Sequence, residues 1–348
     1  MLRFVFIFLF AAIASAAPAQ ESVPQQIADH RAIADRIIAT FAEPGYAALS
    51  ARAKEQQEVW TAFCAAPDDA GFAKLTAAFV DAVTAWSSVE ILRYGPVSED
   101  FRYERLAYWP ERKNNVARGL SALLKADDVL TQESMYAKSV AVQGLPVLER
   151  LLFDEDAEQA LLAGDDGAKK RCAIGQAVSG NVAALTEAIR TGWEPLRPQL
   201  LDGDEALVRE AVTRFATDLL TVFQVVGDSK LDIPMGKSVE EARPKSAQWW
   251  RSGLSNVTLA NNMQSAADLI AAMIGTRDDP THTIASTEQA ARLAADLPLP
   301  LADAVTDTKQ RARVVLLRDS VRGARDLAGG NIAPLLGVTL GFNSLDGD

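Results

Sequence analysis

The sequence predicts an all-α fold made of two helical bundles. Apolar residues recur at helical spacing in nearly every long segment, and the period-two alternation typical of strands is scarce. Once an N-terminal export signal is removed, about 330 residues remain, which is more than one core usually organises. We therefore expect two halves, residues 20–195 and 196–348, that meet near Pro195 to Gly203.

The N-terminus has the composition of a secretory signal peptide. Arg3 precedes an uncharged run from Phe4 to Ala14, and small residues then offer cleavage sites after Ala16 and Ala19. The alternative, a membrane-spanning helix, needs about 20 apolar residues, roughly twice the length of this run. We predict that residues 1–19 are removed. Because no cysteine starts the mature chain, we expect a soluble periplasmic protein without a lipid anchor.

Charge and cysteine content narrow the possible partners. The formal net charge of −11 becomes −12 when Arg3 is lost with the signal, so nucleic acid and anionic membrane surfaces are poor partners. No later stretch is apolar for long enough to span a bilayer. Cys64 and Cys172 are the two cysteines, and an even count in an oxidising compartment favours one structural disulfide over two separate buried thiols.

Stripes of apolar residues define the individual helices. In the first half they contain Leu49, Ala53, Gln56, Trp60 and Phe63, then Phe72, Leu75, Phe79, Val83 and Trp86. In the second half they contain Val208, Val212, Phe215, Leu219 and Phe223, then Met263, Ala267, Ile270 and Ile274. Pro and Gly clusters predict helix ends or turns at Glu43-Pro44-Gly45, Ala66 to Asp69, Gly95-Pro96, Gly164 to Gly167 and Trp193 to Pro195. The irregular stretches Gly95–Pro110 and Gly227–Pro244 each follow a long apolar helix, which suggests pseudo-symmetric halves.

Residue counts exclude most catalytic motifs. Only two histidines are present, so no H-E-x-x-H zinc helix can form. The sequence also has no Walker loop, no dinucleotide-binding glycine motif and no G-x-S-x-G elbow. We interpret His30 as a packing residue and His282 as a loop residue.

Two carboxylates on apolar stripes are the candidates for a functional site. Glu90 and Arg93 continue the stripe that contains Trp86, just before Gly95-Pro96 ends the helix. A buried carboxylate is costly unless it is paired or bound to a cation, and Arg93 is spaced to pair with Glu90. This pair either fixes the entry to the next loop or lines a pocket there.

The second carboxylate is Glu149. Leu145 and Leu152 flank it on one helical face, so Glu149 should lie on or beside the buried side, and Pro146 should start or kink the helix. Either this is a core helix with one partnered carboxylate, or Glu149 shares a polar site with Glu90 between the two halves.

Several segments of this chain resemble the imelysin-like family of bacterial envelope proteins. They occur in the family's order and comprise Ala85-Trp86 with Glu90, Tyr94-Gly95-Pro96, Gly144 to Phe153, Lys230 to Gly236, Trp250-Arg251-Ser252 through Ser255 to Asn262, and Leu340 to Ser344. The resemblance implies an all-helical envelope protein with two bundle-like halves and a signal peptide. The family's G-x-H-x-x-E motif places a His and a Glu on one helix face, where they could ligate a metal. Gly144 and Glu149 match this motif, but Pro146 stands in place of the His and has no ligating side chain.

The family includes metallopeptidases and proteins linked with iron uptake, and the missing His weakens the peptidase chemistry more than a binding role. The resemblance implies a non-catalytic binding or accessory protein in iron acquisition. The alternatives are an imelysin-type metallopeptidase and an envelope interaction scaffold without a small ligand. Ligands for iron or another hard cation would be Glu149, Glu90 and Tyr108. The surrounding pocket would contain Trp86, Arg93, Gly95, Pro96, Gly144, Pro146, Arg251, Ser252 and Ser255.

Overall fold

The computed structural model describes residues 29–111, 113–275 and 282–339, and these residues form helices and no β-strand. The all-α prediction is therefore confirmed. The predicted signal peptide and the segment Leu340 to Ser344 lie outside the described residues. Within the described ranges, every helix is too short or too polar to cross a membrane.

The helices follow one another with short connections. Those before residue 203 are α1 (His30–Ile37), α2 (Glu43–Ala65), α3 (Asp69–Val89), α4 (Arg102–Leu106), α5 (Asn115–Lys125), α6 (Gln132–Tyr136), α7 (Leu145–Phe153), α8 (Ala157–Leu162) and α9 (Asp166–Asp202). Those after it are α10 (Glu205–Gln224), α11 (Ile233–Met235), α12 (Ser255–Ile274), α13 (Thr283–Ala295), α14 (Leu301–Ala304) and α15 (Arg311–Leu336). Short 3-10 helices cover Pro96–Phe101, Val140–Val142 and Pro244–Ser246. Two π-helical segments cover Ile38–Ala42 and Val225–Asp232.

Aspartate side chains set the starts of three long helices. Asp68, Asp165 and Asp204 each accept a hydrogen bond from the backbone N–H three residues ahead, at 2.6 to 2.8 Å, and so cap α3, α9 and α10. The turns predicted at the first two positions are confirmed. The helix start predicted at Pro146 is also confirmed, because α7 begins at Leu145.

Two predicted helix ends are wrong. The chain passes Glu43-Pro44-Gly45 without a break, because α1 continues through a π-helical segment into α2. Helix α9 likewise continues through Pro195 and Pro198. Buried Trp193 anchors that helix by stacking on Tyr46, with ring centroids 6.3 Å apart, so tertiary packing offsets the helix-breaking tendency of proline. The boundary predicted at residue 195 thus falls inside a helix, and the division into two bundles stays a prediction.

The buried apolar side chains form one connected core that extends from α1 to α15. Helix α1 packs on α9, α10 and α12, and α12 packs on α3 and α13, so both predicted halves contribute to this core. A disulfide joins Cys64 on α2 to Cys172 on α9, with Cα atoms 5.6 Å apart. It connects two helices that already pack extensively on each other.

The stretches expected to be irregular are partly helical. Gly95–Pro110 contains a 3-10 helix followed by α4, and Gly227–Pro244 begins as π-helix and continues into α11. Both stretches contribute residues to the wall of one cavity, where they meet the N-terminal end of α7.

Candidate functional site

A cavity of about 340 Å³, here called the Glu149 cavity, lies between α7 and the two partly helical stretches. Its volume falls at the lower end of the range of small-molecule sites, roughly 300 to 1,000 Å³. It is lined by Tyr108, Trp109, Pro110, Glu111, Asn114, Val116, Pro146, Glu149, Arg150, Ser229, Ile233 and the segment Lys245 to Arg251.

Glu149 is a buried carboxyl group in this wall, with 4% of its surface exposed. Its Oε1 atom accepts hydrogen bonds from the backbone N–H of Ser252 at 3.1 Å and from the Ser252 hydroxyl at 2.8 Å. Burial raises the pKa of Glu149, while these hydrogen bonds and the guanidinium groups of Arg251 and Arg150 oppose the rise. Glu149 therefore holds its proton more tightly than an exposed glutamate does.

Four aromatic residues line the cavity, and one of them has unusual geometry. Tyr108, Trp109, Trp249 and Trp250 contribute to the wall. Trp249 has a φ of 58°, in the left-handed region that bulky residues rarely adopt. Its buried indole N–H has no hydrogen-bond partner among the described residues, and the same holds for the side-chain oxygen of adjacent Gln248. Backbone strain at a bulky residue of this kind is often found at functional sites.

Three cationic side chains lie in the same wall. Arg251 donates from Nε to Asp154 at 2.7 Å, and its guanidinium carbon lies 4.3 Å from the Trp250 ring centroid. Arg150 is 3.4 Å from the same aspartate. The Nζ atom of Lys245 lies 5.4 Å from the Trp250 centroid, and within the described part of the chain no carboxylate pairs with it. Lys245 therefore presents an unpaired positive charge at the cavity.

Glu90 lies in a separate buried group, here called the Glu90 cluster, with Lys230 and Asn262. Lys230 Nζ donates to Glu90 Oε1 and to Asn262 Oδ1, each at 2.6 Å. Asn262 Nδ2 donates to Glu90 Oε1 at 2.9 Å and to the Ser87 carbonyl at 2.7 Å. No member is more than 5% exposed. Burial lowers the pKa of Lys230, and the Glu90 carboxylate opposes this shift, so the cluster is a paired core charge.

Arg93 does not form the predicted ion pair with Glu90. Helix α3 ends before Glu90, so the helical spacing that would bring the two side chains together no longer applies. The Arg93 guanidinium instead lies 4.4 Å from the Tyr103 ring centroid and donates to the Tyr103 hydroxyl at 3.2 Å. The backbone N–H groups of Arg93 and Tyr94 donate to Asp218 Oδ2 at 2.8 and 2.9 Å, and burial raises the pKa of Asp218 to about 6.

The oxygen ligands predicted for a hard cation are divided between these two places. Tyr108 and Glu149 line the Glu149 cavity, whereas Glu90 is engaged by Lys230 and Asn262. The described residues contain no group of three or more His, Cys, Asp or Glu side chains placed to hold a metal. Since Pro146 also has no ligating atom, a resident metal ion does not fit this set of residues.

Four of the predicted pocket residues lie at or next to the Glu149 cavity. Pro146 and Arg251 line it. Ser252 holds Glu149 by its hydroxyl and backbone N–H. Ser255 lies one layer behind the wall, where its hydroxyl donates to the Gln248 carbonyl at 2.5 Å.

The other pocket residues serve packing around the site. Trp86 is fully buried in the core, and Pro96 is buried at the start of its 3-10 helix. Gly95 has a φ of 88°, and a side chain there would meet Trp193 at 2.6 Å. A side chain at Gly144 would collide with two carbonyl oxygens at the end of α4, so this glycine allows α7 to start against the neighbouring backbone.

Sequence reasoning missed several residues of the Glu149 cavity and of the Glu90 cluster. Lys230 follows Asp228 and Ser229 and so does not stand out in the sequence, whereas the adjacent Trp249 and Trp250 form a conspicuous pair. Lys245 and Asn262 carry no comparable signal, because their roles depend on contacts distant in sequence.

These observations define an all-helical protein that builds a cavity around the buried carboxyl group of Glu149 from segments far apart in sequence. The chain belongs to the imelysin family, because the Imelysin family model (Peptidase_M75) matches residues 42–327. The resemblance found in the sequence is thereby confirmed.

Two solved structures share the fold. An imelysin-like protein from Psychrobacter arcticum 273-4 is 19% identical with a TM-score of 0.74, and the match covers 92% of this chain and 99% of that one. A candidate iron-regulated protein A precursor from Parabacteroides distasonis ATCC 8503 is 14% identical with a TM-score of 0.68, covering 90% of this chain and 98% of that one. A search of curated proteins finds no match.

Proposed function

We propose that this chain is an exported, periplasmic, non-catalytic binding protein that acts in iron acquisition and holds its ligand in the Glu149 cavity. The observation that carries the proposal is the wall of this cavity, where Lys245, with which no described carboxylate pairs, and buried Glu149 are polar groups among four aromatic rings. A mostly apolar cavity with a few such groups is typical of small-molecule sites. The likeness to a protein described as iron-regulated supports the setting in iron acquisition.

The donor set argues for binding rather than zinc-dependent proteolysis. A catalytic zinc ion needs three protein ligands and one open position for an activated water. Glu149 is engaged by Ser252, and Pro146 occupies the position of the motif histidine. Neither residue offers the imidazole on which such a site depends.

The test is growth under iron limitation of a strain that lacks this gene, complemented by two matched variants. Ser246→Trp should fill the cavity rim and fail to restore growth. Ser98→Trp is the control, because Ser98 and Ser246 each follow a proline in a 3-10 helix and donate to the carbonyl three residues back, at 2.7 Å in both cases. Ser98 does not line the cavity. Both variants are checked for periplasmic level and helical circular dichroism.

Each other outcome is informative. Full growth with Ser246→Trp would show that the cavity is dispensable and favour the scaffold alternative. Normal growth of the deletion strain would contradict the role in iron acquisition. Incubation of the purified protein with unfolded substrates and added zinc should give no cleavage. Chelator-sensitive cleavage that Glu149→Ala abolishes would establish the peptidase instead.

A further inference from the structure

We infer that the Glu149 cavity binds a small planar aromatic carboxylate rather than a bare metal ion. The inference takes the location of the site from the proposed function and adds the chemistry of the ligand. It rests on the rings, charges and exposure of the cavity wall.

The ring content of the wall favours a flat ligand. Three indoles and one phenol, from Trp109, Trp249, Trp250 and Tyr108, surround a space of about 340 Å³. Aromatic side chains recognise planar rings by offset stacking or edge-to-face contact and bury a large area with little loss of side-chain freedom. A hydrated metal ion would leave these apolar surfaces without a partner.

The charge of the wall selects an anion. Arg150 and Arg251 both pair with Asp154, and Arg150 also lies 3.7 Å from Glu111, so Lys245 is the lining cation that no carboxylate among the described residues pairs with. An aromatic cage can also bind an organic cation. Here the Trp250 ring already lies against two cationic side chains, so an incoming cation would be repelled.

The position of Lys245 orients the ligand. Its side chain is exposed at the rim, whereas Trp249 is 4% exposed and lies deeper in the wall. A ligand with its ring inward and its carboxylate beside Lys245 buries apolar surface and leaves the charged group near water. Desolvation of the carboxylate is thereby kept small, and the pair gains a charge-assisted hydrogen bond.

The test is calorimetric titration of the mature, disulfide-bonded protein with three probes of one shape. These are 2-naphthoate, 2-naphthylmethylammonium and naphthalen-2-ylmethanol. We expect 2-naphthoate to bind most tightly and to lose about tenfold in affinity in Lys245→Ala, as expected for the loss of one hydrogen bond to a charged group. Lys237→Ala is the matched control, since Lys237 is an exposed lysine of the same segment that does not line the cavity.

Several results would overturn the inference. The ammonium probe could bind as tightly as the carboxylate, or 2-naphthoate could bind Lys245→Ala and wild type equally. Stoichiometric binding of ferric or zinc ion that is lost in Glu149→Ala would show that the ligand is a metal ion and not an organic anion. If 2-naphthoate fails to bind while Ser246→Trp still blocks growth, the ligand class is wrong and the proposed function stands. If 2-naphthoate binds while the strain with Ser246→Trp grows normally, the ligand class is right and the proposed function of the cavity is wrong.

Discussion

The most direct test of the core electrostatics is removal of the Lys230 ammonium from the Glu90 cluster. Lys230→Met keeps an unbranched side chain of similar length and deletes the charge that faces Glu90 at 2.6 Å. Glu90 is 5% exposed, so water cannot replace the lost partner. Removing one partner of a buried ion pair leaves an uncompensated charge and typically costs about 3 to 5 kcal/mol. We expect a loss of that size in the free energy of unfolding.

The double variant Glu90→Gln/Lys230→Met separates lost pairing from lost packing. Gln keeps an oxygen that can accept from Asn262 Nδ2 and carries no charge. Because no buried charge is then left alone, the double variant should recover about 2 kcal/mol or more of the loss. A surface pair supplies the control. Lys169 lies 2.9 Å from Asp166 with side chains 74% and 97% exposed, so Lys169→Met should leave stability unchanged within error.

The assay is urea denaturation at pH 7 followed by circular dichroism at 222 nm, with the disulfide intact. Equal slopes among the variants are required before the free energies are compared. The reasoning would be refuted if Lys230→Met cost no more than Lys169→Met. It would also fail if the double variant were as unstable as the sum of the two single variants.

Three further predictions concern protonation and cross-linking. The pKa of Asp218 is about 6 in the folded protein, against an ordinary value of 3.8. Protonated Asp218 therefore stabilises the fold fully below about pH 3.8, and this stabilisation is lost as the pH rises through about 6. Relative to Asp218→Asn, the free energy of unfolding of the wild type should fall by up to about 3 kcal/mol between about pH 4 and pH 6, as measured by urea denaturation. Glu149→Gln should raise the thermal midpoint at pH 7, because burial raises the pKa of Glu149 and Gln can still accept from Ser252; a lower midpoint would contradict this. Replacing Cys64 and Cys172 by Ala opens a loop with a sequence separation of 108 and should cost about 4 to 5 kcal/mol in the loop-entropy description, whereas two reactive thiols in unreduced wild type would remove the premise.

Local sequence signals predicted the helices well. Stripes of apolar residues gave α2, α3, α10 and α12, and in the structure Asp68 and Asp204 cap the N-terminal ends of α3 and α10. Proline was a poorer guide. Pro195 lies inside α9 because buried Trp193 ties the helix to the core, a contact that no local pattern reveals.

The candidate site was predictable only where one helix carries the signal. The position of Glu149 on an apolar face predicted its burial, and its motif context indicated the nearby cavity. The partner of Glu90 was not predictable, since Lys230 is 140 residues away and reaches Glu90 from a π-helical segment. The left-handed backbone of Trp249 is likewise a tertiary feature, because a bulky residue has no intrinsic preference for it.

The π-helical segment Val225–Asp232 connects the Glu149 cavity with the Glu90 cluster. Ser229 lines the Glu149 cavity, and the next residue, Lys230, supplies the ammonium of the Glu90 cluster. π-Helical turns are rare and frequently occur at functional sites. The Lys230 ammonium also lies 5.9 Å from the ring centroid of Trp109, which belongs to the cavity wall.

The ion pair therefore lies against two parts of that wall, the π-helical turn and the Trp109 ring, and we expect it to fix their arrangement. In Glu90→Gln/Lys230→Met, which should stay folded, the wall loses this anchor although no residue that lines the cavity has changed. We expect 2-naphthoate affinity to fall several-fold in this variant, since a less preorganised site spends part of its binding energy on ordering itself. Calorimetry of the double variant beside Lys169→Met measures the effect. An unchanged affinity in a folded double variant would show that the Glu90 cluster stabilises the core without shaping the cavity.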